Sequence, residues 1–342
     1  MFVVFLFFSN LFAESNPSLT YTYNGASRTG YIVVDQEWRD TATADVNYSA
    51  IGVSTSGSSL TQVLVTPSGA IGSRLYLLDS TKSSYELFAL VGNVEFSYDV
   101  DMSDLPCGMN AALYTIEMNK NGLKNDAQLG TGYCDAQFLG MVDGKQVSGC
   151  AELDIWEANR EATVYTTHPC TFTGQSTKGS GSCQSDGCGF NAYRYGEKNF
   201  YGPSSSFTLD TTKKFTVVTQ FIGNPLTEIK RYYIQGGKTI PNANPLVYNT
   251  ANYDSITDAF CKTAGHNPDT NTNIAAMGKS LARGHVLSFS LWDSNDGMGW
   301  LDASEYGPCP GGTADSAATL EKNHPGSHVV WSNVKFGPVS NL

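Results

Sequence analysis

Short runs in which apolar and polar residues alternate, each closed by turn residues, recur along this 342-residue chain. SRLYLL (73–78), YELFAL (85–90) and NVEFSYDV (93–100) come early; FTVVTQF (215–221), IKRYYI (229–234), HVLSFSLW (285–292) and HVVWSNVKF (328–336) come later. Successive side chains of a strand point to opposite faces, so such runs read as strands with one apolar face. In HVLSFSLW, Leu287, Phe289 and Leu291 share one face, while Ser288, Ser290 and Trp292 share the other. Only residues 274–284 read as a short helix. A sheet with one apolar face must bury it against another layer, and with so few helices that layer is a second sheet. The expected fold is all-β, a two-sheet antiparallel sandwich.

With 34 glycines and only 15% charged residues, the composition suits many strands joined by turns. The 21 basic and 32 acidic residues leave a net charge of −11. Binding nucleic acid calls for a basic face, and an anionic membrane offers this chain no attraction, so neither partner is expected. A neutral substrate fits better. Residues 1–13, MFVVFLFFSNLFA, are apolar and too short to span a bilayer. They read as a signal peptide without the usual basic start, the competing reading being a buried N-terminal strand. Eight cysteines without a paired CxxC spacing favour a disulfide framework and export, and Asn47-Tyr48-Ser49 is a glycosylation sequon. No linker, repeat or charged tail appears. Residues 14–342 are therefore expected to form one domain, and the protein to be secreted and monomeric.

The segment CAELDIWEAN (150–159) sets Glu152, Asp154 and Glu157 among Leu153, Ile155 and Trp156. Positions 152 and 157 would not share a helix face, and isoleucine and tryptophan suit a strand. On a regular strand, Glu152 and Asp154 point one way and Glu157 the other. A bulge between Asp154 and Glu157 would bring all three to one side, and bulges cluster beside active sites. Two glutamates leaning together would reach the roughly 5 Å separation of a retaining glycosidase, one as nucleophile and one as acid/base, whereas an inverting pair needs about 6.5–9.5 Å. The alternatives are a solvated acidic patch or a calcium site. Apolar and aromatic neighbours argue against full exposure.

CAELDIWEAN followed by THPC (167–170) resembles glycoside hydrolase family 7, the cellulases of cellobiohydrolase and endoglucanase type. The likeness extends through LPCGMNAALY (105–114), GTGYCDAQ (130–137), DGCGFNAYRYG (186–196), FYGPSSSFTLDTTKKFTVVTQF (200–221) and HVVWSNVKFGP (328–338). The acidic motif alone would also fit the laminarinase and lichenase families; THPC and DGCGFNAYRYG do not. The resemblance implies a concanavalin-like β-jelly roll with a long substrate cleft. It implies Glu152 as nucleophile, Asp154 as its support, Glu157 as acid/base and His168 hydrogen-bonded within the acids. It implies that Asn110, Tyr114, Asp135, Gln137 and Arg194 line a β-1,4-glucan cleft in which Trp38, Trp292 and Trp300 are sugar platforms. Trp156 is assigned to the core. This chemistry needs no metal and no organic cofactor.

Carried over by position, the cysteines pair as Cys107–Cys309, Cys134–Cys150, Cys170–Cys183 and Cys188–Cys261. Where more heavily bridged members have a further cysteine pair, this chain has Phe138 and Gly149. Cellobiohydrolases of the family roof the cleft with long loops. Here only residues 138–151 separate Gln137 from Glu152, the loop between Cys170 and Cys183 is short, and Asp40 stands where tunnel enzymes carry a second entrance tryptophan. An open groove and an endoglucanase are expected, with cellobiohydrolase as the alternative.

Overall fold

The computed structural model describes residues 14–39, 45–142, 145–177, 179–310 and 316–339. The expected signal peptide and Asp40 lie outside these residues. Two antiparallel sheets face each other. One runs, neighbour by neighbour, through Ala26–Val34, Ser73–Leu78, His285–Asp293, Met109–Ile116, Glu152–Ala158, Thr163–His168 and Cys188–Phe190. The other runs through Val53–Ser56, Ser59–Val63, His328–Pro338, Val94–Asp101, Phe215–Ile222 and Glu228–Gln235. Ser18–Tyr23 pairs with Ala26–Val34 and also touches His328–Pro338, linking the layers along one side. This is the expected jelly-roll sandwich.

Alternation explains the core. Leu287, Phe289 and Leu291 are fully buried between the sheets. Trp331 packs against Tyr98 and Phe289, and its indole N–H donates to Gln62 Oε1 at 2.9 Å, so a large ring is buried with its polar atom satisfied. Trp156 is likewise buried, among Tyr201, Phe215 and Tyr233. Six of the seven expected strands form within a residue or two of their expected limits. The exception is 85–90, where Leu87–Phe88 pairs with His285 and Val286 and Tyr85 makes an isolated bridge to Leu78, before the chain crosses to the second layer at Val94. The expected helix spans Ile274–Leu281, opened by Asn273 Oδ1 accepting from Ala276 N at 2.8 Å. Among the described residues three shorter helices, Asp258–Thr263, Gly299–Asp302 and Ala317–Asn323, carry too few turns for a sequence period to reveal them.

All four disulfides join the expected partners: Cys107–Cys309, Cys134–Cys150, Cys170–Cys183 and Cys188–Cys261. They cluster around the first sheet. Cys150 stands just before Glu152–Ala158 and Cys170 just after Thr163–His168, at the end where Glu152 faces His168, and Cys188–Cys261 ties helix Asp258–Thr263 to the sheet's last strand. No helix among the described residues is long and apolar enough to cross a membrane.

Candidate active site

Glu152–Ala158 lies near the middle of the first sheet, between Met109–Ile116 and Thr163–His168. Its register slips between Asp154 and Glu157. Asp154 faces Thr166 but Glu157 faces Val164, so three steps on one strand match two on the other. Against Met109–Ile116 the slip falls between Asp154 and Trp156. Ile155 is the extra residue of a β-bulge, and the bulge reverses the facing of everything after it. Glu152, Asp154 and Glu157 consequently all line one cleft while Trp156 turns into the core. The displaced Ile155 carbonyl accepts from Nη2 of Arg231, a buried residue of the opposite sheet.

Each acid has a distinct set of partners. Glu152 Oε2 accepts the Ala136 amide at 2.9 Å, and Asp154 is hydrogen-bonded to Glu152. Asp154 Oδ2 lies 2.9 Å from His168 Nε2, whose other nitrogen, Nδ1, is 2.7 Å from the Gln184 carbonyl. That carbonyl can only accept, so Nδ1 carries a proton. Glu157 Oε1 accepts from Asn110 Nδ2 at 3.0 Å, while Asn110 Oδ1 takes the Ala158 amide at 3.1 Å. Burial is the main force on all three acids. It pushes Glu157 up to about 8, helped by the charge of Asp154, and Asp154 up to about 7. Glu152 is raised by burial and by the charges of Asp154 and Asp135, against the pull of His168 and the Ala136 amide. Three buried carboxylates this close do not all ionise together, so the group retains protons into the neutral range. A carboxyl that stays protonated near neutrality can serve as a general acid.

The cleft encloses about 860 Å³. Of the residues expected from the sequence, Trp38, Tyr114, Asp135, Gln137, His168, Arg194, Trp292 and Trp300 line it with the three acids. Asn110 does not. It is fully buried behind Glu157, since the two hydrogen bonds of its amide turn it toward the strand rather than the groove. Trp292 and Trp300 lie nearly parallel with ring centroids 6.4 Å apart. Following strand order, Trp38 marks one end of the cleft and Arg194 the other, with the acids between.

Other residues not expected as cleft contacts also line it, among them Arg74, His266 and Tyr133, the last within GTGYCDAQ. Arg74 stacks on Tyr133 at 3.4 Å and reaches Trp38 at 5.1 Å, with its Nε 3.2 Å from buried Asp35 Oδ2. Its alternation with Leu75 and Leu77 in SRLYLL is a signal that puts it on the cleft face. Tyr133 lies beneath it. His266 lines the opposite end and follows helix Asp258–Thr263, which Cys188–Cys261 anchors beside the sheet.

A jelly roll whose cleft holds three carboxylates among tryptophans and tyrosines has the makeup of a glycoside hydrolase. Comparison with known proteins gives the family: the sequence model described as Glycosyl hydrolase family 7 matches residues 39–341, and the chain belongs to that family of cellulases. It is 40% identical over 324 residues to the probable endo-beta-1,4-glucanase celB of Aspergillus terreus, covering 86% of this chain and 76% of that protein. The native structure of the Humicola insolens endocellulase EGI superposes with a TM-score of 0.87 at 32% identity, covering 96% of this chain and 98% of that one. A family 7 cellobiohydrolase from Daphnia pulex gives a TM-score of 0.87 at 31% identity, with the same coverage. Backbone similarity alone does not separate the two modes of attack.

Proposed function

We propose that this chain is a secreted endo-β-1,4-glucanase that cleaves internal bonds of cellulose by double displacement, with residues 14–342 as its catalytic domain. The observation that carries this reading is the bulge at Ile155, which sets Glu152, Asp154 and Glu157 in one sugar-sized cleft. Glu152 attacks the anomeric carbon while Glu157, protonated, gives its proton to the departing glycosidic oxygen. Water then attacks the glycosyl–enzyme ester, Glu157 takes the water's proton, and the product keeps the β configuration. Asp154 orients Glu152, and His168 fixes Asp154. Trp38, Trp292 and Trp300 offer flat faces to pyranose rings, while Tyr114, Asp135, Gln137 and Arg194 supply polar contacts. Asn110 acts through Glu157.

Exposure along the groove supports internal attack. Trp300 is 44% and Leu139 51% exposed although both line the cleft, and Gln137 is exposed beside them. The segment after Gln137 is a small hairpin, Gly140–Val142 with Lys145–Gly149, rather than a long roof loop. The name of the Aspergillus relative agrees with an endo mode. The four disulfides suit an oxidising, extracellular setting.

Carboxymethylcellulose tests the mode: viscosity should collapse while few reducing ends appear. Slow thinning with cellobiose as nearly the only product would identify a chain-end enzyme instead. Proton NMR of the first-formed product tests the stereochemistry. A β anomer supports double displacement, and an α anomer overturns it.

A further inference from the structure

Phe138 sits in the turn after Cys134 with φ +61°, a backbone region that bulky side chains rarely occupy. Something must hold it there, and its surroundings show what. The ring is 8% exposed and lies against Gly149, where an added Cβ would come within 2.5 Å of Cδ1 and Cε1. On another side it meets Phe172, ring centroids 6.1 Å apart and planes at 61°. Phe172 in turn rests on Gly181, where a Cβ would lie 2.3 Å from its Cδ1. Two rings and two glycines thus knit together three segments: the turn after Cys134, the approach to the acidic strand, and the loop closed by Cys170–Cys183.

Two contacts of the acidic group hang from these segments. The turn presents the Ala136 amide to Glu152 Oε2 at 2.9 Å; in it Phe138 N and Cys150 N donate to the Asp135 carbonyl, at 3.3 and 3.1 Å, and Gln137 N and Leu139 N donate to Asp135 Oδ1, at 3.1 and 2.8 Å. The disulfide loop leads into Gln184, whose carbonyl holds His168 Nδ1 at 2.7 Å, and into Ser185, whose carbonyl accepts from Gln137 Nε2 at 3.0 Å. Backbone donors cannot rotate independently of their turn, so the aim of the Ala136 N–H depends on what fixes Phe138.

We propose that Phe138, seated on Gly149 and braced by Phe172, is a positioning residue that aims the Ala136 amide at Glu152. This rests on Glu152 being the nucleophile. Phe138 touches no reacting atom and acts through the backbone. Larger residues at position 149 displace the ring, so the glycine is part of the device.

Steady-state kinetics of the full chain on cellotetraose, with a pH profile, test this. Phe138→Ala should lower kcat roughly 10-fold, the loss of one hydrogen bond to a charged group, with KM nearly unchanged. Its acidic limb should move to higher pH, because a carboxylate without its N–H donor holds its proton more tightly. Gly149→Ala should show the same signature, and Phe138→Leu should recover most of the rate. A lower melting temperature with kcat and the acidic limb unchanged, in either variant, would reduce the stack to a structural role. Trapping with 2-deoxy-2-fluoro-β-cellobiosyl fluoride separates this from the nucleophile assignment. Labelling of Glu152 in both proteins, slower in Phe138→Ala, supports both claims. A label elsewhere in the unaltered chain overturns the assignment of Glu152 itself.

Discussion

His168 and Asp154 meet across adjacent strands, Nε2 to Oδ2 at 2.9 Å, with both side chains almost wholly buried. Asp154 in turn hydrogen-bonds Glu152, so three residues on two strands form one chain of partners ending at the proposed nucleophile. Asp154→Asn removes a charge from its centre. A lost charged hydrogen bond of about 1.5–3 kcal/mol corresponds to a roughly 10- to 100-fold lower kcat. The charge of Asp154 raises both Glu152 and Glu157, so its removal should shift both limbs of the pH–rate profile to lower pH. Limbs that stay in place would show that Asp154 does not act electrostatically on either glutamate.

Glu157 ties rate and stability to the same titration, and both fall as pH rises. Burial, then the charge of Asp154, raise it to about 8, and in its proposed role of general acid it must be protonated. The rate kcat/KM should therefore fall as pH rises through about 8. The same shift means the folded chain binds a proton that the unfolded chain has released above its ordinary value of 4.5. This contribution to stability is complete below pH 4.5 and is lost as pH rises through 8. Glu157→Gln keeps the shape without the charge. Its melting temperature should match the parent near pH 4.5 and exceed it near pH 9, while activity collapses. Calorimetry showing no pH dependence in the difference would refute the raised value.

A second buried titration lies away from the cleft. His285 is fully buried, with Nε2 2.8 Å from Ser280 Oγ and Nδ1 3.3 Å from Thr115 Oγ1; burial lowers it to about 4 despite nearby Glu117. Here the sign reverses. Between its ordinary 6.5 and about 4 the unfolded chain binds the extra proton, so stability falls as pH drops through that window. The full loss below pH 4 is on the order of 3 kcal/mol. Glu117 is lowered, chiefly by its hydrogen bonds to Arg283 and Ser280 opposing burial, and loses stability in acid as well. His285→Gln should melt lower at pH 7 yet show a flatter decline from pH 6.5 to 4. Parallel declines in the two proteins would mean that His285 does not govern acid sensitivity.

The acidic motif reads clearly in the sequence because its geometry is local: three acids and an intervening tryptophan on one strand leave few ways to face a cleft, and a bulge is the simplest. The strands read well for the same reason, since period-two alternation needs only adjacent residues. What stays hidden is non-local. Asn110 carries the residue type of a cleft contact, but its position behind Glu157 depends on two hydrogen bonds made across to another strand. Phe138 reads only as a missing cysteine until Gly149 and Phe172 are seen around it. Arg74 shows its face by alternation but not the Tyr133 ring on which it lies.

Arg231 is hidden in the same way, and it yields the sharpest test of the bulge. It lies on the opposite sheet, 4% exposed, and no carboxylate pairs with it among the described residues. Its Nη2 donates to the Ile155 carbonyl and to Thr219 Oγ1, while its guanidinium lies 3.9 Å from the Tyr165 ring and 5.8 Å from Trp156. Burying a cation without an anionic partner is costly, and apolar replacements of buried charges are often neutral or stabilising. If Arg231 served packing alone, Arg231→Met would leave activity intact. If it holds the bulge, Met fills the space but leaves the Ile155 carbonyl unsatisfied, and the ladder can relax toward a regular strand that turns Glu157 away from Glu152. The expected result is a fall in kcat/KM on the order of 100-fold, with a change in melting temperature of only about 2–4 °C per kcal/mol of altered stability. Arg231→Lys, which keeps a donor on a flexible stem, should fall between the two. Full activity in Arg231→Met would show that the bulge is held by the acids' own partners, Asn110 and His168, without help from the second sheet.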